Sequence, residues 1–297
     1  MMKRRDFLNK SLQAGLWCAA APVFAAGAAS VENELVAAMV KGQHAEAALE
    51  SGLGLLGGVE RFVTRGKRVV IKPAIARNRF PEAGMTTHPS LVAQLVKRCY
   101  QAGAREVAVF DHTLDSWTKC YKNSGIERVV KDAGGRMVPA NDLRYFEKVS
   151  NPQAQLLPSV LLHRSLLSAD LFINMPVVTR HHRLGMAAAI ANLTGCVWDR
   201  GVFSREGAER CLAELLYYCN PALTISDAWL LPENADNNLA GETHQTLLFS
   251  TRIVAADVMA APLAGIDPRR VEHLRLAAAL GFGKLEISSP QRVTVTL

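Results

Sequence analysis

The chain lacks most signatures that assign a chemistry. It has no Gly-x-Ser-x-Gly, no phosphate-binding glycine loop and no His-Glu-x-x-His, so nothing local marks a serine hydrolase, a P-loop nucleotide enzyme or a zinc protease. It has no Cys-x-x-Cys and no ferredoxin-like cysteine series, which removes a cluster held by a standard iron–sulfur motif. Beyond the first 28 residues Lys and Arg form no run and do not interleave with aromatics, which make up 6% of the whole chain. Nucleic acid is therefore a poor partner. Beyond the first 28 residues no apolar run approaches the ~20 residues that cross a bilayer, so no stable membrane span is expected.

What is present begins at the N-terminus. Residues 3–10 read Lys-Arg-Arg-Asp-Phe-Leu-Asn-Lys. Arg4 and Arg5, followed at fixed spacing by Phe7 and Leu8, resemble a twin-arginine export signal. A short apolar stretch and small residues follow, with cleavage sites after Ala25 or Ala28, the three-part layout of a removable signal. The division expected is a signal over residues 1–28 and one domain over residues 29–297. This predicts a partnership with the twin-arginine export machinery, folding before export, and a periplasmic location. An amphipathic cytoplasmic helix is the other reading of the same residues. Cys18 follows Trp17, a poor neighbour for a lipidated cysteine.

The segment after the signal, roughly 268 residues, can bury a sizeable core. Lys3, Arg4, Arg5 and Lys10 against Asp6 carry part of the net charge of +7. The remainder is mildly basic, which leaves room for an anionic small ligand. Five cysteines remain, Cys99, Cys120, Cys196, Cys211 and Cys219. An odd number leaves at least one unpaired unless chains cross-link. Cys99 and Cys211 fall in helical patterns and read as small buried hydrophobes.

Residues 33–56 read as a helix ending at Gly57-Gly58. Strands are expected at 68–73, 106–111, 136–139 and 169–175, with helices at 89–101 and 126–133 between them. Pro89 starts the first of these helices and Gly103 stops it. Such alternation predicts an α/β fold, a mostly parallel sheet flanked by helices in a single large domain. Residues 153–159 are the weakest stretch and the expected edge if there are two sub-domains. Thr179-Arg180-His181-His182-Arg183 reads as a polar loop. An amphipathic helix at 207–218, strands at 223–227 and 246–250, helices at 253–263 and 269–280, and a last strand at 293–297 complete the pattern.

The chemistry-bearing residues gather at predicted strand ends, where parallel α/β sheets bind ligands. Lys72 ends one strand, where a charge is costly unless paired. It either binds an anion or transfers a proton, or forms a structural salt bridge. Asp111 and His112 end the next strand; a carboxylate beside an imidazole can orient it or share a metal with it, and an Asx-type turn is the plainer role. His181 or His182 could bind a metal or move protons, with Arg180 holding an anion; a solvated basic loop is the alternative. Thr86-Thr87-His88 precedes a helix, a place for an anion or simply for a cap. Asp227 ends a further strand. Glu233, Asn234 and Asp236 lie in a polar loop without calcium-motif spacing.

Several of these stretches, taken in order, resemble signatures of the DUF362 family. They are Val69-Val70-Ile71-Lys72-Pro73, Gln101-Ala102-Gly103-Ala104-Arg105-Glu106-Val107, Ala169-Asp170-Leu171-Phe172-Ile173-Asn174-Met175-Pro176, Thr179-Arg180-His181, Ala191-Asn192-Leu193-Thr194-Gly195 and Ala255-Ala256-Asp257. The likeness runs over about residues 45–285. A remoter likeness is to the lactate-racemase-type α/β fold. The family resemblance implies an association with iron–sulfur chemistry and gives Asn192 and Asp257 as cofactor-binding positions, with helix capping as the other role of Asp257. Against the family pattern, Ala74 stands where Asn is usual and Ala191 where Lys is usual, while Arg180 takes a threonine's place and His112 and His182 are gained.

Two functions follow as expectations. In one, a periplasmic metal-using or redox-associated protein holds a divalent metal or iron on Asp111, His112 and His181. Lys72, Arg180 and His181 then carry catalysis on an anionic substrate. In the other, the chain is a non-catalytic binding or maturation protein for an exported redox partner or an anionic small molecule, as the loss of the usual Asn and Lys suggests. Imidazoles of His112 and His181 more than about 8 Å apart could not share a metal, given ~2 Å ligand bonds.

Overall fold

The computed structural model describes residues 37–232, 242–287 and 290–295. The signal-like segment and the loop of Glu233, Asn234 and Asp236 lie outside the described residues. Along the chain the strands are β1 (Ala37–Gly42), β2 (Arg68–Pro73), β3 (Glu106–Val109), β4 (Arg136–Met137), β5 (Phe146–Ser150), β6 (Ser159–His163), β7 (Leu171–Met175), β8 (Thr179–His181), β9 (Gly185–Ala187), β10 (Leu223–Leu231), β11 (Glu242–Ser250) and β12 (Gln291–Val295). Eight of them form one sheet in the order β12-β1-β11-β10-β7-β2-β3-β4. Only β11 runs against its neighbours β10 and β1; the other pairings in this sheet are parallel. The fold is thus α/β with a mostly parallel sheet, as the alternation of elements predicts.

Burial on both faces explains the nearly continuous apolar strands. In β2, Val69 and Ile71 enter one core while Val70 enters the other. The first core also takes the helices Ala45–Leu55, Pro89–Gln101 and Ile126–Asp132. The second takes Ala208–Glu214, Ile253–Leu263 and Glu272–Ala279. Helix Pro89–Gln101 buries Leu91, Val92, Leu95, Val96 and Cys99, the spacing of a single helical face. It ends where Gly103 adopts a φ of 93°, a left-handed position suited to glycine, and the Ala104 amide returns to the Cys99 carbonyl.

The chain order sets a topological switch. From β2 the sheet grows through β3 and β4 on one side; the chain then returns to place β7, β10 and β11 on the other. The carboxyl ends of β2 and β7 therefore diverge into a crevice, the usual ligand position of such sheets. Lys72 pairs in register with Asn174 at that edge.

Three sequence expectations change. Residues 33–56 do not form one helix: β1 occupies Ala37–Gly42 and the helix starts at Ala45. The run Ala37-Ala38-Met39-Val40 suits either period, and pairing with β11 and β12 selected the strand. The polar loop after β7 is a hairpin, β8 paired antiparallel with β9. His181 shapes its turn, because Nδ1 accepts the Arg183 and Leu184 amides at 3.3 and 3.1 Å. Residues 153–158 lie in the loop of the β5–β6 hairpin and Ser159 opens β6, in place of an edge between sub-domains. Leu157 is buried there and Glu214 Oε2 accepts the amides of Leu156 and Leu157. The last expected strand is present as β12, with residues 296–297 outside the described residues.

Candidate functional site

A cavity of about 380 Å³ opens at the switch point, lined among others by Lys72, Arg77, Asp111, His181, Asn192 and Arg200. Its sheet side is a closed polar network. Lys72 is 1% exposed, and its Nζ lies 2.8 Å from Asp111 Oδ1, 2.8 Å from Asn192 Oδ1 and 3.0 Å from the Pro73 carbonyl. Asn192 Oδ1 and the Pro73 carbonyl accept its hydrogen bonds, and Asp111 Oδ1 supplies the opposite charge. Asp111 Oδ2 accepts the Ile75 amide at 2.8 Å. Asn192 Nδ2 donates to Asn174 Oδ1 at 2.8 Å, and Asn174 Nδ2 donates to the Ala189 carbonyl at 3.0 Å. Gly195 seals the network from above. A Cβ there would overlap Asp111 Oδ1 and come within 2.8 Å of Lys72 Cε, so only glycine permits this approach.

Asn192 ends the four-residue helix Ala189–Asn192, which Asp257 holds from below. Asp257 is fully buried in helix Ile253–Leu263; its Oδ1 accepts the Ala189 amide at 2.5 Å and its Oδ2 the Ile190 amide at 3.0 Å. Burial pushes its carboxyl up to about 7, while the two amides pull the other way. Asp257 does not line the cavity. It positions the turn that carries Asn192, which is the capping role rather than the cofactor-binding one.

A second cation, Arg200, is held beside this network by other partners. Arg200 is part-buried and its Nη1 donates to the His112 carbonyl at 2.7 Å, its Nη2 to Thr194 Oγ1 at 3.1 Å. No carboxylate pairs with it among the described residues. Burial lowers its pKa from the guanidinium value, with Asp111 acting against that shift. Arg77 is exposed at the rim. Asp111 is the one acid among the lining residues, and Lys72 already neutralises it.

The remaining sequence candidates are not brought together as drawn. The His112 ring turns into an aromatic group, stacked on Trp198 at 5.0 Å and edge-on to Phe146 at 5.5 Å. Its Nδ1 lies 2.8 Å from the Val197 carbonyl, and burial is the main cause of its lowered pKa. His181 and His182 stack on each other, 5.0 Å apart, in the cavity wall. Asp111, His112 and His181 do not form a metal centre. Among the described residues no group of three or more His, Cys, Asp or Glu side chains is placed to hold a metal ion. The cause is local: both Asp111 oxygens are engaged, and His112 Nδ1 faces a carbonyl. Arg180 is no part of the cavity; its Nε donates to the Ala264 carbonyl at 3.2 Å, just past the end of helix Ile253–Leu263, where a cation is favoured.

Thr86, Thr87 and His88 also take internal partners. Thr87 Oγ1 accepts the Ala74 amide and donates to the Met175 carbonyl, and Asp227 Oδ2 accepts the His88 amide at 2.8 Å. The protein's own carboxylate thus occupies the start of helix Pro89–Gln101. The five described cysteines are all free and buried. Burial lifts the Cys99 thiol to about 12 and the Cys120 and Cys211 thiols to about 11.

Sequence reasoning missed Arg77 and Arg200. Arg77 follows the strand-end Lys72-Pro73 by a few residues, a usable signal. Arg200 sits in an irregular turn with no periodicity to show which way it faces.

Fold and cleft together define a doubly wound α/β domain with a basic pocket at its topological switch point. The chain belongs to the DUF362 family, described as a domain of unknown function, whose model matches residues 69–262. It is 24% identical over 247 residues to the thylakoid-associated protein sll1697 of Synechocystis sp., covering 80% of this chain and 75% of that one. Among solved structures it is similar to the lactate racemase apoprotein from Thermoanaerobacterium thermosaccharolyticum, at 12% identity and a TM-score of 0.41. That overlap covers 82% of this chain and spans only 56% of the other. Among the described residues no helix is long and apolar enough to cross a membrane.

Proposed function

We propose that this DUF362 domain binds a small anion in the switch-point cavity and acts as an exported binding or accessory protein. The observation that carries this reading is Arg200: a part-buried guanidinium facing a cavity whose only acid is already paired. A cation kept from water without a counter-ion is costly, and an anionic ligand would supply the missing charge. Export rests on the ordered Arg4, Arg5, Phe7 and Leu8 signal, and the thylakoid association of the relative accords with work at a membrane compartment.

The binding version is favoured over the metal-using one by two features. Asp111 and His112 are committed to protein partners. Ala74 and Ala191, the positions at which the family resemblance leads one to expect Asn and Lys, both line the cavity. The polar groups lost are therefore lost at the pocket itself. Lys72, hydrogen-bonded to Asn192 and the Pro73 carbonyl and paired with Asp111, serves here as the scaffold of the anion site.

The test is thermal unfolding of the purified protein with inorganic phosphate, acetate, succinate or neutral glycerol. A ligand at 100 times its Kd stabilises by about 2.7 kcal/mol. At least one anion should raise the Tm in a concentration- and salt-dependent way, and glycerol should not. Equal responses to anions and glycerol would overturn the reading. Replacing Arg4 and Arg5 by Lys should hold the protein in the cytoplasm; unchanged export would remove the twin-arginine part.

A further inference from the structure

Resting on the anion-binding reading, we infer that the ligand is a monocarboxylate with an apolar body, its carboxylate held by Arg200 and its hydrocarbon part by the apolar residues of the cavity lining. Charge sets the headgroup. The Lys72–Asp111 pair cancels in place at 2.8 Å, and Arg77 is exposed to water. Arg200 is what remains inside. It uses two of its five N–H donors, on the His112 carbonyl and on Thr194 Oγ1. The remaining donors suit a planar carboxylate, which guanidinium forks accept in two parallel hydrogen bonds. A neutral ligand leaves the cation uncompensated. A dianion brings a second charge to a cavity whose other buried cation, Lys72, is already paired with Asp111, and the desolvation cost rises steeply with charge.

Shape sets the body. Met85, Leu114, Leu184, Phe203 and Leu212 line the cavity, with alanines between them. At about 380 Å³ the space lies within the range of small-molecule sites, and a bare carboxylate would leave most of it empty. Ala74 and Ala191 present methyl groups to the same space.

The experiment is calorimetric titration of the full chain with butanoate, hexanoate and octanoate, and with hexanamide and inorganic phosphate as comparators. Each methylene should tighten binding about threefold to fourfold until the cavity is full. Hexanamide should bind at least tenfold more weakly than hexanoate. Arg200→Gln should lose the same factor for every carboxylate. Since Arg200 also ties His112 to Thr194, that variant could unfold. Ala191→Leu is the second probe: it narrows the cavity and should weaken octanoate more than butanoate. Phosphate binding with no dependence on chain length would overturn the monocarboxylate class and leave the anion site standing. Binding of hexanamide as tight as hexanoate would overturn the role of Arg200. Binding of no anion at all would sink both readings.

Discussion

At the end of β2, Lys72 meets Asp111, Asn192 and the Pro73 carbonyl within 3.0 Å; beside it, Arg200 holds a carbonyl and a hydroxyl and forms no ion pair among the described residues. The two cations share one cavity but not one condition. Lys72 is a fully compensated charge whose partners come from β2, from the end of β3 and from the turn that Asp257 caps. It fixes how the strand ends meet. Among the described residues Arg200 is held by neutral hydrogen-bond partners, and the anion-binding reading gives its charge to a ligand. On the anion-binding reading, the nearly inaccessible cation is the scaffold and the part-buried one meets the ligand.

Removing Lys72 should have the largest effect. Lys72→Met leaves Asp111 buried and unpaired, and breaking a buried ion pair from one side costs about 3–5 kcal/mol. Urea unfolding should show this loss, and Lys72→Met with Asp111→Asn should recover at least half of it. A single variant as stable as the parent would mean that the pair is not what holds the strand ends. Gly195→Ala comes next, at about 1–3 kcal/mol, because the methyl group must displace the ion pair. An unchanged denaturation midpoint would show that the Gly195 turn gives way freely.

Asp257→Asn tests the support beneath Asn192. Loss of one of two amide contacts should cost about 1 kcal/mol, in the range of helix caps. The variant should also change the pH profile. Burial raises the Asp257 carboxyl from 3.8 to about 7. A group raised in the folded state contributes stability that is complete below its unfolded value and is lost as pH rises through the folded one. Its contribution should therefore fall between pH 4 and pH 7, and Asp257→Asn should flatten that part of the curve. The same slope in parent and variant would assign the titration elsewhere. Arg77→Gln should matter least. Arg77 is exposed and screened, so affinity for an anion should drop by no more than about threefold and less at high salt. A loss as large as that of Arg200→Gln would reverse the contrast between rim and interior.

Much of the frame was legible in the chain. The strand–helix alternation identified β2, β3, β7 and β10, and Lys72 stood out because a lysine closing an apolar run needs a partner. Asp111 and Asn192 were named as well. Their roles were not, because Asn192 lies 120 residues from Lys72 and only the folded turn brings it to 2.8 Å. β1 was misread because its apolar run suits a helix as well as a strand, and pairing with β11 and β12 decided it. The histidines illustrate the limit most clearly. His112 and His181 looked convergent from their places after strands, yet one packs on Trp198 and the other shapes a hairpin turn.

By itself the sequence determined the class of fold, the family and the strand ends at which a site would form, because hydrophobic period and turn residues act over a few neighbours. Tertiary structure alone decided which cation would be neutralised and which left open. That outcome depends on distances of about 3 Å between groups far apart in the chain, at which charges and hydrogen bonds act.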